Sequence, residues 1–127
     1  MQPTGMKARA PRENPMSNPI VYFEVAGPDA DGQRAFYSGV FGWGVSEAGA
    51  IDPASTGGLA GGLRTDPADK VFYLGVDDIP AKLEEVVAAG GQVVMPRTEV
   101  PGVVTFALFT DPAGNLLGLA EFGSWPE

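Results

Sequence analysis

Tyr22 and Glu24 stand two positions apart in Ile20-Val21-Tyr22-Phe23-Glu24-Val25, and Tyr73 holds the matching place in Val71-Phe72-Tyr73-Leu74-Gly75-Val76. Side chains alternate along a strand, so Tyr22 and Glu24 share one face. Phenols and a carboxylate gathered this way can donate and accept hydrogen bonds, and can move protons when correctly placed. The chain contains no histidine and no cysteine. The commonest general base, the thiol nucleophile, thiolate metal sites and disulfides are therefore absent. Carboxylates, tyrosines and lysines are what remains for acid–base work.

The two stretches head similar segments, which predicts a domain built from two like halves. Residues 19–25 read as a strand, bounded by Pro19 and Gly27-Pro28. Asp29 and its neighbours offer a cap for a helix over Gln33–Val40, ended by Gly42. Phe36 and Phe41 are expected in the core. Residues 43–47 read as a strand, 48–57 as a loop, and 58–64 as a glycine-heavy strand where another backbone or a ligand comes close. In the second half, 71–76 read as a strand, and Asp77 or Asp78 caps a helix from Pro80 to about Ala89. Leu83, Val86 and Val87 give that helix its buried stripe. Strands over 92–95, 103–110 and 116–122 follow, with a loop over 96–102 and a tight turn at Asp111–Asn115. The predicted plan is α+β, with two main helices outside.

The 127 residues fit one domain. Eighteen glycines and twelve prolines point to many turns. The net charge is −8, from 8 basic and 16 acidic residues. Lys7, Arg9 and Arg12 stand at the N-terminus, so the remaining body is more acidic still. Phosphate neutralisation needs clustered Lys and Arg, so nucleic acid and anionic membranes are not expected partners. Such a body favours approach of a cationic small molecule, although acidity also serves solubility. No apolar run approaches the ~18 residues of a membrane span, and residues 1–15 lack the apolar segment of a secretory signal. Residues 1–17 are read as a disordered extension, 18–127 as the folded domain, and the cytoplasm as the location.

Three motifs carry a resemblance. Phe36-Tyr37-Ser38-Gly39-Val40-Phe41-Gly42-Trp43, Val76-Asp77-Asp78-Ile79 and Phe109-Thr110-Asp111-Pro112-Ala113-Gly114-Asn115 occur in order along the chain. They resemble the helix end, second-half strand end and hairpin of the vicinal oxygen chelate superfamily, which includes glyoxalase I, bleomycin-resistance proteins and extradiol dioxygenases. The resemblance spans about residues 18–122. It implies two βαβββ modules, about 18–65 and 70–123, forming a curved mixed sheet of eight strands around a cleft. Metal-dependent members hold a divalent ion there. The implied ligand positions fall on Ile20, Val71 and Gly118, with a fourth near Gly61 or Gly62 and Tyr22 in place of a further histidine. Apart from Tyr22 none of these side chains binds a metal, so no metal or other cofactor is expected.

With Ile20 and Val71 facing the cleft, parity brings Tyr22, Glu24 and Tyr73 there, and Phe106 shares a face with Leu108. Trp43 and Met95 complete the expected ligand-binding set of Tyr22, Glu24, Trp43, Tyr73, Met95 and Phe106, with no catalytic residue assigned. Each also has a plainer reading as core packing or, for Glu24, as a solvated strand end. The expected function is metal-free binding of a small molecule, as in the drug-sequestering branch of the superfamily. An enzyme working through Glu24 with Tyr22 or Tyr73, or through a non-standard metal site, is the first alternative. A dimeric structural or regulatory module is the second. A homodimer is expected in each case.

Overall fold

The computed structural model describes residues 17–125, so the extension expected at the N-terminus lies almost wholly outside the described residues. These form an α+β arrangement of seven strands and three helices, with parallel and antiparallel pairing. The chain divides into two compact units: Val21–Tyr73, and residues 17–20 with 74–125.

The first unit carries most of β1 (Ile20–Gly27), α1 (Ala30–Phe41), β2 (Ala50–Ile51), α2 (Pro53–Thr56), β3 (Ala60–Thr65) and the start of β4 (Asp69–Val76). Its strand order is β2-β3-β1-β4. β1 and β3 run parallel, with Tyr22 opposite Ala60, Phe23 opposite Gly61 and Glu24 opposite Gly62. Asp29 caps α1 by accepting a hydrogen bond from the Gly32 amide, so the helix begins earlier than the expected Gln33. Gly42 ends it in the left-handed region, at φ 74°.

Several expectations are corrected in this unit. Eight strands were expected in the whole domain and seven are present among the described residues. The strand expected over 43–47 shrinks to a single bridge between Val45 and Ile51, because the chain reverses at once. The Gly49 amide donates to the Ser46 carbonyl and the Ala50 amide to Ser46 Oγ. The expected loop over 48–57 accordingly contains β2 and the one-turn α2. Phe36 and Phe41 are 50% and 60% exposed rather than in the core. The more protected stripe of α1 runs through Gln33 and Tyr37, four residues apart, and Phe36 lies to its side. Tyr37 stacks on Trp43 at 4.9 Å, and Trp43 meets Phe23 edge-on at 5.4 Å.

The second unit holds the end of β4, α3 (Ile79–Ala88), β5 (Gln92–Val100), β6 (Val104–Thr110) and β7 (Leu116–Glu121), in the order β4-β7-β6-β5. Asp78 is the cap of α3, accepting from the Ala81 amide at 3.0 Å. Ile79 and Leu83, with Val86 partly buried, form the helix stripe at positions i, i+4 and i+7. Val87, expected within it, is turned outward. They pack on Val76, Ala107, Phe109 and Leu119 to form the core. Alternation along β6 is regular, with Thr105, Ala107 and Phe109 buried between half-exposed neighbours. β5 runs through Pro96 instead of ending at Met95. It is the outermost strand, where a missing amide hydrogen is tolerated, and its register shifts on either side of Met95.

Arg97 on β5 donates to both carboxylate oxygens of Glu121 on β7, at 3.0 and 2.9 Å. These bonds hold the Glu121 carboxyl below its ordinary range. A lowered folded-state pKa stabilises the fold above the unfolded value of 4.5 and loses that contribution as pH falls through the lowered value. Glu121→Gln should therefore melt below the wild type at pH 7, and the gap should close as pH falls through the lowered Glu121 value. A gap that stays constant as the pH is lowered would show that it does not come from the ionised pair.

Candidate functional site

One face of β1, β3 and β4 collects the polar groups of the first unit. Tyr22 and Glu24 alternate onto it from β1, Gly62 and Arg64 from β3, and Tyr73 from β4. Tyr73 Oη donates to Glu24 Oε1 at 2.9 Å. Arg64 Nε lies 3.4 Å from the same oxygen. That approach does not satisfy hydrogen-bond geometry, and Nε is buried without a hydrogen-bond partner among the described residues. The outer end of the guanidinium is better placed: Nη1 donates to Asp66 Oδ2 at 2.7 Å. The Tyr22 and Tyr73 rings meet edge-on, centroids 5.6 Å apart.

Glycine makes this packing possible. A side chain at Gly62 would collide with the Tyr22 hydroxyl, and one at Gly61 with the Phe23 ring on the opposite face. The close approach expected at this glycine-heavy strand is made by two aromatic side chains of the adjacent strand. Neither β3 glycine can therefore be replaced without moving a ring.

Burial of Tyr73 raises its pKa well above the usual 10.0, and the charge of Glu24 and their hydrogen bond act in the same direction. Tyr22 is raised by burial and then by Glu24. Both phenols are neutral donors at physiological pH, unsuited to act as bases. A raised phenol pKa contributes stability that is complete below the unfolded value of 10.0 and is lost as pH rises through the folded value. Absorbance titration at 295 nm should show delayed ionisation that Tyr73→Phe removes in part. Ionisation of all three tyrosines at the unfolded value would refute this arrangement.

Of the six side chains expected to bind a ligand, Tyr22, Glu24 and Tyr73 come together in this unit. Trp43 packs against Phe23 and Tyr37, on the other side of β1. Met95 and Phe106 belong to the second unit, on β5 and β6. Arg64 was not among the expected residues. Its signal was present in the sequence: it follows Gly62 by two positions, so parity places it on the same face. The second unit has a separate polar cavity of about 270 Å³, bounded by Arg97, Glu99, Thr105, Glu121 and Ser124.

The metal positions implied by the resemblance do not fit an ion. Val71 and Gly118 are buried without donor atoms, and Ile20 is half exposed and equally inert. Gly61 and Gly62 are covered by Phe23 and Tyr22. Among the described residues no three of His, Cys, Asp and Glu lie close enough to share an ion.

Residues 22–120 match the glyoxalase-like domain family. The chain belongs to it. It is similar to "Putative glyoxylase CFP32" of Mycobacterium tuberculosis, 30% identical over 110 residues covering 72% of this chain and 41% of that protein. It is also similar to the anthracycline biosynthesis protein DnrV of Streptomyces peucetius, 30% identical over 82% of this chain and 45% of that protein. The chain thus spans less than half the length of these curated relatives. Among solved structures, a glyoxalase/bleomycin resistance protein/dioxygenase superfamily member from Vibrio splendidus aligns with a TM-score of 0.58 at 17% identity, over 83% of this chain and 98% of that one. That likeness shows a shared fold.

Proposed function

We propose that this glyoxalase-like domain binds a small molecule with an aromatic ring system, held at Tyr22, Glu24 and Tyr73. The observation that carries this reading is the Tyr73–Glu24 hydrogen bond at 2.9 Å beside the edge-on Tyr22 ring. A carboxylate fixed by a phenol and flanked by aromatic edges orients a ligand through one polar contact and one apolar surface. Raised phenol pKa values favour hydrogen bonding over proton removal. The similarity to DnrV supports polycyclic aromatic ligands of the anthracycline class.

Titration with daunorubicin, followed by the drug's fluorescence and by thermal shift, tests the reading. Saturable binding with stabilisation of the fold is expected, and Tyr22→Ala should weaken it. Absence of binding up to the solubility limit of the drug would end it. We also propose a homodimer, supported by the exposed Phe36, Val40 and Phe41 of α1, an apolar patch that a partner would cover. A sedimentation mass of one chain would contradict it.

A further inference from the structure

Resting on that reading, we propose that Glu24 Oε2 is the seat for a protonated amine of the ligand. Both approaches to the Glu24 carboxylate fall on Oε1, from Tyr73 Oη and from Arg64 Nε. Oε2 makes no hydrogen bond to the described residues. With Oε1 held, the carboxylate cannot rotate freely, so Oε2 is presented in one direction.

The balance of charge favours a cation. Among the described residues Arg64 is the one positive group in contact with Glu24, and its Nη1 is committed to Asp66 at 2.7 Å, closer than the 3.4 Å from Nε to Glu24. One guanidinium is thus shared between two carboxylates, and the three groups together carry one excess negative charge. A third donor that is itself cationic would restore balance and make a charge-assisted hydrogen bond. The Tyr22 and Tyr73 rings meet edge-on with centroids 5.6 Å apart, and an ammonium group gains from a π face within about 6 Å. An anionic ligand would meet the unneutralised carboxylate and be repelled. Tyr73 acts here as a positioning residue: its hydrogen bond orients Glu24 without touching the ligand amine.

Daunorubicin carries a protonated primary amine at pH 7, and N-acetyldaunorubicin keeps the ring system but not the charge. Titrating the full chain with both compounds isolates the amine. The wild type should bind daunorubicin about tenfold more tightly, as one charge-assisted hydrogen bond implies. Glu24→Gln should erase that preference, while Glu84→Gln, which removes an exposed acidic group on α3, should retain it. Arg64→Gln, which removes the competing cation, should widen it and serves as the second variant should Glu24→Gln fold poorly. Equal wild-type affinity for the two compounds would overturn the amine seat and leave the binding reading standing. A preference reduced equally by Glu24→Gln and Glu84→Gln would assign it to general acidity and overturn the seat as well. Failure of both compounds to bind would end both readings.

Discussion

Leu119→Ala should lower the free energy of unfolding by about 2–5 kcal/mol, the range for emptying a well-packed aliphatic site. Leu119 is 1% exposed and packs among Val76, Ile79, Leu83, Ala107 and Phe109. Its neighbours come from a helix and two adjoining strands, so no single side chain can move in to fill the space. The loss therefore combines transfer and cavity contributions. Val87→Ala on α3 is the matched control: Val87 is 54% exposed, and its truncation should change stability by no more than about 0.5 kcal/mol. Urea unfolding measures both, and a shifted midpoint at constant slope is the expected form. Equal effects from the two substitutions would contradict the placement of the core.

Gly61→Ala should destabilise by about 1–3 kcal/mol, the usual range for overpacking. A β-carbon there would overlap three carbons of the Phe23 ring. That ring is held in turn by Trp43, which is stacked on Tyr37, so relief requires a chain of movements. Gly44→Ala tests the geometry by contrast. Its added methyl would meet its nearest neighbour, the Asp52 β-carbon, at an ordinary 3.5 Å. It should fall within about 0.5 kcal/mol of the wild type. Thermal unfolding of the two variants under identical conditions makes the comparison, and equal melting points would refute the ring-over-glycine packing.

Much of the fold was legible in local chemistry. Caps at Asp29 and Asp78, the left-handed stop at Gly42, the Asp111–Asn115 turn and the alternation along 104–110 all follow from rules that act over a few residues. The misplaced elements depend on tertiary context. Aromatic content suggested burial for Phe36 and Phe41, but the helix turns Gln33 and Tyr37 inward because Trp43 offers Tyr37 a stacking partner. Pro96 looked like a strand terminator and is tolerated because β5 is an edge. Ser46 and Gly49 close the chain so tightly that the expected strand at 43–47 has room for one bridge only.

The candidate site was partly legible for the same reason. Parity alone puts Tyr22 on the face of Glu24. Pairing Tyr73 with Glu24 required the order of β1 and β4, and recruiting Arg64 required the parallel register of β1 and β3. Nothing in the linear pattern said whether the glycines of β3 would admit a ligand or a neighbouring ring. Family membership follows from the match over residues 22–120 and leaves the ligand to be determined from the site itself.

The most direct test is an amide chemical-shift titration of the isotope-labelled chain with daunorubicin. The account predicts that the largest shifts gather at Tyr22, Glu24, Gly62, Arg64 and Tyr73. Shifts confined to Arg97, Thr105 and Ser124 around the polar cavity of the second unit, or none at saturating ligand, would contradict it.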